Sequence, residues 1–169
     1  MLIINDKIRE LMKGYPTVSD KYNVAGGVLM DADPVQFGGL VKFATQNGYF
    51  MAIDATQTIA SVNEIAGFVL ATNVKLATEW PGKTVEVLPG EAFNLLINGF
   101  MAVELGSGAK VADIKPNAAV YVTAAGAITT STDSGKLGSA AIPNVVFTGV
   151  YENIGTSDSP KYLAEILVK

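Results

Sequence analysis

Apolar and polar positions alternate along most of the chain, and most clearly over residues 84–105, TVEVLPGEAFNLLINGFMAVEL. Val85 and Val87 flank Glu86. Phe93, Leu95 and Ile97 alternate with Asn94 and Leu96, and Met101, Val103 and Leu105 alternate with Ala102 and Glu104. Successive side chains of a strand point to opposite faces, so a period of two predicts strands. Pro89-Gly90 and Asn98-Gly99 fall between the runs, where glycine takes positive φ at no steric cost and asparagine tolerates it. The stretch therefore predicts three consecutive antiparallel strands with a reversal at each pair.

The same grammar extends in both directions. Ile8, Leu11 and Met12 fall at i, i+3 and i+4 behind Asn5 and Asp6, with Gly14 placed to end the run, which predicts a short helix over residues 6–13. Two turns of helix need apolar support from their own domain or another chain. Residues 15–27, carrying Tyr15, Pro16 and Tyr22, read as an extended arm or long loop. Strands are predicted at 28–30, 35–37, 40–45 and 49–54, the last two joined by Asn47-Gly48. The unbroken apolar run EIAGFVLAT, residues 64–72, predicts a strand buried on both faces. Trp80 lies in the next connection, either as an interface anchor or as a plug for the end of a barrel. Further strands are expected at 118–123, 127–130, 145–153 and 162–169, with residues 131–144 a loop and Tyr162, Ala164, Ile166 and Val168 on one face. Ten to twelve short strands predict an all-β barrel or sandwich: an N-terminal arm, residues 1–27, and a single β domain, residues 28–169.

Composition narrows the chemistry. With no cysteine and no histidine among 169 residues, disulfides, zinc sites of the usual ligands and Ser-His or Cys-His nucleophiles are excluded. A net charge of −4 argues against nucleic acid. No apolar run approaches the roughly 18–20 residues of a membrane helix, and Asn5, Asp6 and Lys7 break the N-terminal apolar stretch too early for a signal peptide. Charged residues make up only 17% of the chain, a composition suited to a surface that lies against other proteins. Asp31 and Asp33 have the spacing that begins a calcium loop, but the remaining acids are missing and a turn-capping role is the expectation. A glycosidase carboxylate pair would have to come from Glu86, Glu91, Glu104, Glu152 or Glu165, several on outward strand faces. No phosphate-loop pattern occurs among the 17 glycines. The expectation is a protein with no catalytic residue, no metal and no cofactor.

The phrases GFVLATN from residue 67, PGEAFNLLINGFMAV from 89, AVYVT from 119 with Gly126, and FTGV from 147 are similar to those of the cement, or head decoration, proteins of tailed bacteriophages. The turn at Asp31-Ala32-Asp33-Pro34-Val35 resembles the family's opening phrase, and the likeness spans residues 25–169. It implies a small β-barrel or β-tulip fold and a homotrimer on the outside of the virion, where it stabilises contacts between neighbouring major capsid proteins. The protein would be made in the host cytoplasm. On this reading Ile8, Leu11, Met12, Tyr15, Pro16, Tyr22 and Lys136 are candidate capsid contacts and Trp80 a candidate for the oligomer interface. The alternatives are another virion β protein of the tail or fibre, and a carbohydrate-binding module stacking sugars on Trp80, Tyr49 and Tyr151.

Overall fold

The computed structural model describes residue 14 and residues 23–30, 33–71 and 86–169. Among them are eleven strands: β1 (Asn23–Leu29), β2 (Val35–Gln36), β3 (Leu40–Phe43), β4 (Tyr49–Ala52), β5 (Ile65–Leu70), β6 (Glu86–Val87), β7 (Ala92–Glu104), β8 (Tyr121–Val122), β9 (Ile128–Thr129), β10 (Val145–Asn153) and β11 (Tyr162–Val168). Helix among the described residues is confined to two 3₁₀ turns, Val62–Glu64 and Val111–Asp113. The expected helix at 6–13 lies outside the described residues.

A seven-stranded sheet runs β1-β4-β3-β5-β7-β11-β10, and β7 pairs back to β1. Five strands, β1, β4, β3, β5 and the first half of β7, thereby close into a small barrel, which removes their free edges. Closure is antiparallel except between β1 and β4. Asn23–Gly27, read from sequence as the end of an arm, form most of β1, whose register against β7 runs from Asn23 to Val28.

Alternation fills two cores. Leu29, Val41, Phe50, Val69, Phe93 and Leu95 point into the barrel, and Phe50 meets Phe93 edge-on at a ring separation of 5.7 Å. The opposite faces of β5 and β7 send Phe68, Leu70 and Leu96 into a second core with Met101, Val103, Phe147, Ala164 and Ile166. The apolar run of β5 is thus buried on both faces, as its lack of polar interruption predicted. Ala164, Ile166 and Val168 share the face expected of β11, with Tyr162 packed against them.

The predicted hairpin at Asn98-Gly99 does not form: β7 runs through it as one strand of 13 residues. A two-residue type I′ turn needs φ > 0 at both central positions, and Asn98 is not among the residues with positive φ, while Gly99 sits at φ 130°. The local reversal loses to tertiary pairing, because the first half of β7 bonds to β1 and β5 and the second to β11. Val24 is paired with Leu96 and Asn23 with Asn98, so β7 carries one extra residue, a β-bulge at Ile97. One inserted residue reverses the parity of the rest of the strand, so Met101, Val103 and Leu105 continue the face that Leu96 occupies.

The other reversals behave locally. Asn47-Gly48 turns β3 into antiparallel β4, with Gly48 at φ 80°. Pro89-Gly90 makes a turn closed by the Glu91 N–H donating to the Leu88 carbonyl at 3.0 Å. The strands it joins are in different sheets, since β6 pairs with β2.

Candidate functional site

With neither histidine nor cysteine in the chain, the surface is the first place to seek function. Among the described residues no group of three or more carboxylates gathers where a metal could sit. Asp33, read as a turn cap, accepts from the Thr56 hydroxyl at 3.3 Å, and Asp31 lies outside the described residues. Glu104 and Glu152 both lie across β11 from Leu163, and Glu165, expected among the solvent-facing carboxylates, is 3% exposed because that face of the sheet is covered.

Carboxylates that are fixed serve loops. Asp113 accepts from the Thr132 hydroxyl, which holds it below the usual carboxylate range. Asp133, in the long loop, accepts from the Thr129 hydroxyl and from the Gly135 N–H at 2.7 Å, and these bonds lower it too. Burial would raise Asp54, but the Thr56 hydroxyl and the Gln57 and Thr56 N–H groups outweigh it and lower its pKa. The Asp113 and Asp133 bonds help tie residues 105–144 into a cap on the second core. The Leu137 N–H donates to the Val122 carbonyl, the Ile142 N–H donates to the Val120 carbonyl, and Ile142 is buried.

Of the sequence-selected contacts, Lys136 is half-buried, and its ammonium donates to the Asp133 carbonyl at 3.3 Å. Ile8, Leu11, Met12, Tyr15, Pro16, Tyr22 and Trp80 lie outside the described residues. Of the expected sugar platform, Tyr49 on β4 and Tyr151 on β10 are separated in the sheet by β1, β7 and β11, and Trp80 lies outside the described residues.

Two apolar surfaces are exposed that sequence reading did not single out. Phe43, 68% exposed, stacks on Phe50 at 5.4 Å beside a groove of about 470 Å³ that also takes in Ile65, Ile97 and Pro143. The other is the far end of β10, where Val150, Tyr151 and Ile154 are exposed. Alternation alone could not reveal either, since one face of any strand reads as apolar whether the neighbour on it is this chain or another.

A family model described as structural cement protein (E217 gp24/Pam3 gp6) matches residues 4–167. The chain belongs to the structural cement protein family. Its role is that of a capsid cement or decoration protein located in the virion, a structural role. A chain from the capsid of Myoviridae phage XM1 shares the fold with a TM-score of 0.61 and 17% identity, covering 99% of this cement protein and 98% of that chain. No curated protein matches it. The resemblance carried by the strand phrases is thereby upheld, and the all-β barrel with it.

Proposed function

We propose that this cement protein sits on the outer surface of the head, bridges neighbouring major capsid proteins and acts as a homotrimer without turning over any substrate. The observation that carries the reading is the family match over residues 4–167. A subunit that touches several shell proteins at once binds the assembled lattice and not free coat protein, so its binding free energy stabilises the shell by mass action. Trimerisation would multiply this, because docking one protomer raises the effective concentration of the other two. Residues 1–27, with Ile8, Leu11, Met12, Tyr15, Pro16 and Tyr22, are the proposed shell contact, Lys136 a further one, and Trp80 the proposed trimer contact.

The experiment is to add purified protein to expanded heads that lack it and measure their thermal disruption. A rise in disruption temperature that saturates with protein is expected. Heads that disrupt at the same temperature under saturating protein would sink the reading.

A further inference from the structure

The chain holds two Asn-Gly pairs, Asn47-Gly48 and Asn98-Gly99, and the fold treats them differently. Asparagine before glycine is open to an intramolecular reaction, because a residue without a Cβ leaves its backbone nitrogen unshielded beside the preceding side-chain amide. Whether the reaction runs depends on what that nitrogen is already doing.

At Asn98-Gly99 the nitrogen is engaged. The Leu105 N–H donates to the Tyr162 carbonyl at 2.9 Å, which marks that pair as bonded, and bonded pairs recur at every second position of an antiparallel ladder. The β7–β11 register runs without a shift from the pairing of Glu104 with Leu163 to that of Gly99 with Val168, so Gly99 is a bonded partner of Val168, and it is buried. Its nitrogen comes free only when β7 parts from β11.

Asn47 and Gly48 are both exposed, in the turn between β3 and β4. The reversal is held by its flanks: the Tyr49 N–H donates to the Gln46 carbonyl at 3.2 Å, and the Ala44 N–H donates to the Tyr49 carbonyl at 3.0 Å. The Gly48 N–H makes no hydrogen bond among the described residues, and a Cβ built on Gly48 would meet open space. The same dipeptide is locked in one place and open in the other.

We propose that Asn47-Gly48 is a site of spontaneous succinimide formation, and that its isoaspartate product loosens the seam where the barrel closes. The Gly48 nitrogen gives up its proton to solvent and bonds to the side-chain carbonyl carbon of Asn47. The bond from that carbon to the side-chain nitrogen breaks, and the nitrogen takes up a proton and leaves as ammonia. Water then opens the cyclic imide. Breaking the new bond gives aspartate, and breaking the original peptide bond gives isoaspartate, whose backbone runs through the side chain and is one methylene longer. Water is the only co-reactant, and nothing is oxidised.

Either product puts a negative charge on the turn. Isoaspartate also displaces Gly48, whose carbonyl accepts from the Val28 N–H at 3.1 Å. That bond lies where β1 meets β4, a parallel junction recorded over two pairs, Val28 with Tyr49 and Leu29 with Phe50. The reactive turn therefore sits at the shortest junction of the barrel. A virion protein is not replaced after assembly, so the product builds up as the particle ages.

Purified full-length protein is held in mildly alkaline buffer, folded in one series and in urea in the other, and peptide mass mapping follows the amide-to-acid mass gain at both asparagines. In the folded series Asn47 should react about a hundredfold faster than Asn98 or more, since Asn98 reacts only when the sheet opens. In urea the two rates should converge. Protein aged in this way should melt a few degrees below fresh protein, and aged Asn47→Gln protein should not. If that variant fails to fold, reacted and unreacted fractions of the unaltered protein, separated by anion exchange, give the same comparison. Asn98 keeping pace with Asn47 in the folded protein, or an Asn47 that reacts in urea and stays intact when folded, overturns the site. Protein carrying isoaspartate at position 47 that melts like fresh protein overturns the effect on the seam.

Discussion

The Gly14 N–H donates to the Ala102 carbonyl at 2.7 Å, and the Gly14 carbonyl in turn accepts from the Ala71 N–H at 2.7 Å. One residue from the N-terminal stretch thus bridges the end of β5 and the second half of β7, where the barrel gives way to the second core. Only glycine suits the position: φ is 71°, and a Cβ would lie 2.5 Å from the Gly38 nitrogen and from the Phe37 Cβ. Gly14→Ala should destabilise the protein by about 2–4 kcal/mol, combining left-handed strain with overpacking against backbone. Chemical denaturation checks it, and a loss under about 1 kcal/mol would show that the junction yields.

Phe50 and Phe43 form a second contrast. The two rings stack, yet Phe50 is buried in the barrel against Phe93 and Phe43 is 68% exposed. Phe50→Ala should cost about 3–5 kcal/mol through lost burial and the cavity left behind. Phe43→Ala should cost less than about 1 kcal/mol, because most of that ring is in water already. The same denaturation series measures both. An equal cost for the two would mean that Phe43 is covered in solution, by a second copy or by the chain itself.

Acid should weaken the fold, chiefly at the cap, where two of the three lowered carboxylates, Asp113 and Asp133, lie. Asp54, Asp113 and Asp133 have pKa values lowered from 3.8 in the folded protein. The unfolded chain therefore binds more protons than the folded one in this range, and the stability these groups contribute is complete at neutral pH and lost as pH falls through and below 3.8. Urea midpoints should stay level from neutral pH down to about pH 5 and then fall, with Asp133→Asn flattening the fall. A slope of the Asn variant equal to that of the unaltered protein would remove Asp133 from this role.

How far the fold was legible in the sequence depends on the range of the forces involved. Period-two alternation found the strands, because burial of one face acts residue by residue, and Asn47-Gly48 found the β3–β4 hairpin because nothing competes with it. Asn98-Gly99 has the same local chemistry and failed because β1, β5 and β11 all claim β7, pairings that no local pattern records. The loop at 131–144 looked free, yet Asp133, Leu137 and Ile142 bind it to Thr129, Val122 and Val120. Family membership was legible in the strand phrases. The exposed far end of β10 was not, since VVFTGVYEN reads the same with or without a neighbour.

The bulge in β7 offers the most demanding test of the fold. Because Ile97 is the extra residue, its deletion would join Leu96 to Asn98 and leave Met101 and Val103 on the face they hold, whereas an alanine inserted between Met101 and Ala102 would put Ala102 and Glu104 on that face. Either Glu104 is then buried in the second core or the β11 register of Leu163 to Val168 is abandoned. Either exceeds the roughly 5–15 kcal/mol a domain has in reserve when combined with the lost packing, so the insertion should abolish folding. Removing Ile97, which is 52% exposed, keeps the pairings on both sides of it and should lower the melting temperature by only a few degrees, about 1 kcal/mol. Soluble yield and thermal melts by circular dichroism compare the two. A chain lacking Ile97 that fails to fold, or one with the inserted alanine that melts near the unaltered protein, would show that the bulge does not set the faces of β7.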